Sequence, residues 1–235
     1  MIKEALQYIA GLASQKTLEI HGQQYSNHSL TLLKHPTPSP LSIRSLSGFV
    51  EYLKSQYDAP GKLMIHVESP TKVSAFSTFN DDSVRSTFAV ADALLPSIRF
   101  DSFMDVETFN IMLQSLFVPS EVRASLLKVV GNIKEENVQN TGDDGVAQQI
   151  TAKTGVATVA TVTVPNPVTL LPYRTFVEVQ QPQSLFVFRM RSGPTAALIE
   201  ADGGAWKVEA MDTIKAYLEK ELKDEIAAGD FVIIA

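Results

Sequence analysis

Cysteine is absent from the 235-residue chain, which excludes disulfide staples, thiol nucleophiles and cysteine-based zinc sites together. Positive charge is in the minority: 20 Lys and Arg stand against 26 Asp and Glu, a net charge of -6. No global field therefore gathers nucleic acid by counterion release, and non-specific binding of DNA or RNA is disfavoured. Long apolar runs are missing too. None approaches the roughly 20 residues a helix needs to cross a bilayer, so no membrane partner is expected. Motif glycines are equally scarce, with no GxGxxG and no GxSxG elbow, and the pair in "DGGAW" is not followed by Lys-Ser or Lys-Thr. A dinucleotide cradle, a P-loop and a hydrolase elbow thereby lose their sequence support, and no cofactor is expected.

What the chain does have is enough apolar residues, 45%, to bury a sizeable core. At the amino terminus Ile2, Ala5, Leu6 and Ile9 recur at helical spacing, while Lys3 and Glu4 interrupt any signal-peptide core. Secretion is not indicated. Residues 17 to 44 read as short extended pieces ending in the connector "HPTPSP". In "SLSGFVEYLKSQY" the residues Leu46, Phe49, Val50, Leu53 and Tyr57 form one helical stripe, with Ser45 placed to cap it. "KLMIHVESP", "KVSAFSTF" and "RSTFAVADALL" follow as strands of one meander. Two helices are predicted between Asp101 and Asn132. The first has Val106, Phe109, Leu113, Leu116 and Phe117 on one face, and the second starts at Pro119-Ser120.

The later part changes character. "ITAKTGVATVATVTV" is rich in Thr and Val and carries no charge between Lys153 and Arg174, so it predicts strands that must be paired or covered. "LLPYRTFVEVQQPQSLFVFRMR" alternates on both sides of "QPQS" and predicts a hairpin. "TAALIEA" adds a strand. "AWKVEAMDTIKAYLEKELK" adds a helix with the stripe Met211, Ile214, Leu218 and Leu222, and "DFVIIA" reads as a closing strand of the buried type. Strands outnumber helices without regular alternation. The fold class expected is α+β: mixed, mostly antiparallel sheets with four to five helices packed on one side. A boundary at 140/141 would separate a helix-and-meander half, 1–140, from a strand-rich half, 141–235, unless both halves share one domain.

Candidate chemistry is sparse. His21, His28 and His35 recur every seven residues, a spacing that gathers side chains only on a continuous helix, which Gly22, Asn27 and Pro36 forbid. No metal site is expected there. His66 stands alone in a strand. The acidic pairs Asp81-Asp82, Glu135-Glu136 and Asp143-Asp144 read as solvated turns without a calcium-loop pattern. No catalytic residue emerges. Trp206, the only tryptophan, reads as an anchor that packs the start of the last long helix on a sheet. Arg189 and Arg191 lie two apart, on one face of a strand, and Arg174 sits on the strand before. Those three guanidiniums are the candidate phosphate or nucleotide site, against the plainer reading of surface or subunit-contact charges.

"HSL" at His28, the "SLSGFVEYLK" helix, the "PYRTFVEV" segment and the helix "EAMDTIKAYLEKEL" resemble, in order, the blocks of the YfdQ-like proteins of phages and prophages. The resemblance implies a bacteriophage or prophage origin, a place in the host cytoplasm and no established enzyme activity. Joined to the neutral β-rich run and the apolar "FVIIA" end, it leads to the expectation of a non-enzymatic accessory protein. Its partner would be itself, in a homo-oligomer built through strand-rich surfaces. The alternative is an accessory protein that binds a phosphate group or small nucleotide.

Overall fold

The computed structural model describes residues 2–14, 17–20, 23–26, 37–58, 61–80, 83–131, 140–143, 148–154, 158–164, 166–191, 193 and 195–235. These fall into two compact units, Met1–Thr37 and Pro38–Ala235. His21, His28 and His35, and of the acidic pairs Asp81, Asp82, Glu135, Glu136 and Asp144, lie outside the described residues.

The first unit holds helix α1 (Ile2–Ala13) and a hairpin of β1 (Thr17–Ile20) and β2 (Gln23–Ser26). The hairpin is antiparallel, with Thr17 opposite Ser26. No residue of α1 is buried.

The second unit opens with β3 (Leu41–Ile43), α2 (Leu46–Ser55), β4 (Leu63–Ser69), β5 (Lys72–Phe79) and β6 (Arg85–Asp92). The expected apolar stripe of α2 is buried at Leu46, Phe49, Val50 and Leu53, but its last member, Tyr57, lies beyond the helix, which ends at Gln56, and is 87% exposed. Ser45 caps the helix by accepting a hydrogen bond from the Gly48 amide at 3.1 Å, and Gln56 ends it in the left-handed region at φ 49°. After β6 come β7 (Met104–Asp105), α3 (Val106–Leu116) and α4 (Glu121–Gly131). Asp105 accepts from the Thr108 amide at 2.9 Å and Ser120 from the Arg123 amide at 3.1 Å, so each helix starts on its own cap. The neutral run supplies β9 (Gln148–Thr154) and β10 (Thr158–Val164), which pair in a seven-residue antiparallel register with β8 (Asn140–Asp143) on the other side of β9. The chain closes with β11 (Val168–Leu170), β12 (Ser184–Arg191), β13 (Thr195–Glu200), α5 (Trp206–Glu221), α6 (Lys223–Ala228) and β14 (Phe231–Ile234).

Three sheets result in this unit, ordered β14-β4-β5-β6-β3, β11-β12-β13-β7 and β10-β9-β8. Among the described residues only β14 with β4 and β3 with β6 pair in parallel. The fold is therefore α+β with mixed, mostly antiparallel sheets, and six helices are found among the described residues. The sixth, α6, is a single short piece that no apolar periodicity announces. Strand parity decides the cores. Leu63, Ile65, Val67, Val73, Ala75 and Ala89 share one face of the five-stranded sheet, where Phe49 and Leu53 of α2 and Ile214 and Leu218 of α5 cover them. Phe186, Phe188, Met190 and Leu198 share one face of the four-stranded sheet beneath Phe109 and Leu113 of α3 and Val130 of α4. Each core draws on residues from both sides of position 140.

Two elements depart from the sequence expectation. The "PYRTFVEV" half of the predicted hairpin is no strand: β12 pairs instead with the three-residue β11 and with β13, and 173–183 run as irregular chain after a lone bridge at Pro172. The closing strand β14 lies at the edge of its sheet, with Val232 58% and Ile234 39% exposed, where an unbroken apolar run had suggested burial.

Candidate functional site: a buried arginine and the pocket beside it

The irregular segment between β11 and β12 is held by a glutamine in place of a partner strand. Buried Gln181 accepts through Oε1 from the amides of Arg174 at 2.9 Å and Thr175 at 3.2 Å. Its Nε2 donates to the carbonyls of Phe176 at 3.0 Å, and of Thr175 and Val179 at 3.4 Å. One side chain thus satisfies backbone groups that a β-ladder would otherwise take. Pro172 and Pro182 bracket the segment and keep it out of a ladder.

From this segment side chains go to both cores. Phe176 and Val179 enter the core of the five-stranded sheet, Thr175 donates through Oγ1 to the Pro70 carbonyl at 2.6 Å, and Glu178 accepts from the Leu46 amide at 2.8 Å. Arg174 turns the other way. It is 7% exposed, and its guanidinium meets the Glu200 carboxylate through Nη1 and the Ser184 hydroxyl through Nη2. Asp202 Oδ2 stands 3.9 Å from Nη2. The guanidinium carbon lies 3.9 Å from the Trp206 ring centroid, with the rings of Phe186 and Phe100 at 5.6 and 5.8 Å. Trp206 therefore does more than start a helix: it covers a buried cation.

The site is electrostatically closed. Burial pulls the Arg174 pKa down, against the opposing pull of Glu200 and Asp202, and an arginine keeps its proton through any such shift at neutral pH. Burial raises the Asp202 carboxyl, but a hydrogen bond from Ser184, the Gly204 amide at 2.9 Å and the Arg174 charge outweigh it and hold Asp202 below the usual carboxylate range. Both groups are thus locked in their charged forms. The arrangement suits electrostatic holding and offers no poised acid or base for proton transfer.

Next to it opens a pocket of about 210 Å³ lined by Ser184, Leu185, Asp202, Ala205, Trp206 and Glu209 among others. Gly203 and Gly204, at φ 62° and 82°, make the turn that brings Asp202 and Trp206 to the same wall.

The three candidate arginines do not meet. Arg189 and Arg191 share a face of β12, as expected, but Ser184, which holds Arg174, is of the opposite parity. Arg189 is half-buried opposite Ala197, and Arg191 lies exposed over the Phe103 ring at 3.8 Å. His66 is half-buried on β4, opposite Ser74 and on the face away from α2 and α5. No group of His, Asp and Glu able to hold a metal occurs among the described residues, and no helix among them is long and apolar enough to cross a membrane. The functional partners missed in the sequence are Glu200, Ser184, Asp202 and Gln181. Only Asp202 carried a local signal, in "ADGGAW", where an acid precedes a glycine turn at a helix start.

Neither a protein-family model, nor a curated protein, nor a solved structure matches the chain.

Proposed function

We propose that the chain is a non-enzymatic phage or prophage accessory protein that works as a homo-oligomer, joined through the edges of its sheets. One observation carries this reading. The five-stranded sheet ends on β14, "FVII", an edge without charge or proline whose Val232 and Ile234 are exposed. Monomeric proteins blunt such edges with lysine, proline or a covering loop, because free N–H and C=O groups on an apolar strand recruit another chain. The open edge of β10, a neutral seven-residue strand at the end of its sheet among the described residues, presents the same backbone problem. Net charge of -6 and the separation of the three arginines speak against nucleic acid or a shared phosphate as the partner. The phage setting rests on the sequence resemblance alone.

Mass in solution tests the proposal. At micromolar concentration, light scattering on a sizing column should return a multiple of 25.7 kDa, and Val232→Lys should shift the population toward one chain. A monodisperse 25.7 kDa species for the unaltered protein removes the reading.

A further inference from the structure

The left-handed Gln56 at the end of α2 turns the chain back on itself. The Tyr57 amide donates to Ser55 Oγ at 3.2 Å, and Asp58 returns along the helix to accept from the Tyr52 hydroxyl at 2.7 Å. Opposite this turn lie the irregular residues 38–40 that lead into β3, and Phe88 of β6, next to the Ala89 that pairs with Leu41. Between the two sides opens a pocket of about 620 Å³, lined by Pro38, Pro40, Tyr52, Tyr57, Asp58 and Phe88 among others. That volume falls within the roughly 300–1,000 Å³ of small-molecule sites.

The wall of this pocket is chemically one-sided. No Lys, Arg or His lines it, and Pro38 and Pro40 bring no N–H groups, so an anion would find little to hold it. Burial and the hydrogen bond to Asp58 push Tyr52 up to about 12, which keeps its phenol neutral and leaves Asp58 as the one charge on the wall. Asp58 lies at an exposed position and makes no ion pair among the described residues. The rings carry a second, independent sign. Elsewhere this unit covers open rings with its own guanidiniums: Phe79, 62% exposed, has the Arg85 carbon 3.9 Å from its centroid, and Phe103 has that of Arg191 at 3.8 Å. Tyr57 is more exposed than either, yet among the described residues no Lys or Arg stands over it, over Tyr52 or over Phe88. Three aromatic side chains and one carboxylate without a cation complement a positive charge spread over apolar surface. Independently of assembly, we infer that this pocket binds a small organic cation by a methylated ammonium group. A bare ammonium is strongly hydrated and meets too few acceptors on this wall; methyl groups remove that demand, and the ring faces keep their attraction for the charge.

The full chain is titrated with choline chloride, with ethanolamine hydrochloride, with the uncharged analogue of choline in which tert-butyl replaces trimethylammonium, and with sodium chloride at equal ionic strength. Heat of binding and the ring-proton resonances of Tyr52 and Tyr57 are followed. Choline should give a saturable response at both rings, at a midpoint independent of protein concentration, and sodium chloride should give none. The uncharged analogue and ethanolamine should each bind about tenfold more weakly, the first for want of charge and the second for want of methyl groups. Tyr57→Ala, at a position too exposed for the core to depend on it, should weaken choline by about tenfold. Tyr57→Phe should keep full binding, because the ring face and not the hydroxyl meets the cation. Asp58→Asn keeps an acceptor for Tyr52 and should still weaken binding by about threefold, the size of one exposed charge pair. No saturation by choline, equal binding of the uncharged analogue or of ethanolamine, full binding by Tyr57→Ala or Asp58→Asn, or loss of binding in Tyr57→Phe overturns the assignment.

Discussion

Gln181 does the work of a strand with one amide group, and its removal should be felt accordingly. Gln181→Ala leaves the Arg174 and Thr175 amides without an acceptor in a buried place, at about 1–3 kcal/mol for each group left unpaired. A loss of roughly 2–4 kcal/mol in urea unfolding is expected; a change within experimental scatter would show that the segment finds other partners. Arg174→Met breaks a buried ion pair from one side and uncovers Trp206, so a loss of about 3 kcal/mol with a shift in tryptophan emission should follow. Asp202 adds a pH signature. Its folded pKa is below its unfolded one, so its contribution is complete above the unfolded value near 3.8 and is lost as pH falls through the folded value. Asp202→Asn should flatten that acid limb. At the other end of the scale, burial and a 2.7 Å hydrogen bond to Asp58 push Tyr52 up to about 12. The unfolded chain ionises first, so this stabilisation is present below pH 10 and fades between 10 and 12; a spectrophotometric titration should lose its latest phase in Tyr52→Phe. At this scale the sequence made Arg174 legible as the first charge after a long neutral run. Its partners were not, because Glu200 and Asp202 reach it only through strand pairing 26 and more residues away.

Helices were the legible elements, because their apolar stripes repeat within one turn of themselves. Leu46, Phe49, Val50 and Leu53 of α2 and Ile214, Leu218 and Leu222 at α5 are the residues the periodicity selected and the core contains. The segment around Arg174 defeated the same reasoning. Tyr173, Thr175, Val177 and Val179 alternate as a strand would, and nothing local shows that Gln181 takes over the hydrogen bonding. β14 misled for a related reason: four apolar residues in a row fit a covered central strand or an apolar edge equally well, and only sheet order tells them apart. One element depends on a distant residue in a testable way. Glu178 accepts from the first amides of α2, at 2.8 Å from Leu46 and 3.3 Å from Ser47, and so places negative charge at the positive end of that helix. Glu178→Ala should cost about 1 kcal/mol, read by thermal unfolding, while Glu178→Gln should recover part of it by keeping an acceptor. Equal stability of all three proteins would mean that Ser45 alone suffices as the cap.

At the scale of the whole second unit, two helix-covered cores are tied together by one irregular segment, and the open edges lie on the periphery. The β14 edge carries a prediction that backbone parity makes residue-specific. The Leu63 amide donates to the Asp230 carbonyl at 2.9 Å, and β14 runs parallel to β4 with Phe231 beside Leu63. Alternate residues of a parallel strand direct their amides to opposite sides. Val232 and Ile234 therefore turn theirs toward β4, whereas Phe231 and Ile233 turn theirs to the open edge. In a single chain the first pair should resist hydrogen exchange and the second should exchange quickly. If sister chains add a strand at this edge, Phe231 and Ile233 gain protection as concentration rises, while Val232 and Ile234 scarcely change. Val232→Lys should return the outward pair to fast exchange without touching the inward pair, because it opposes edge pairing while β4 still holds the strand. Fast exchange of Phe231 and Ile233 at every concentration in an oligomeric protein would place the contact elsewhere, with the neutral edge of β10 the next strand to follow by the same measurement.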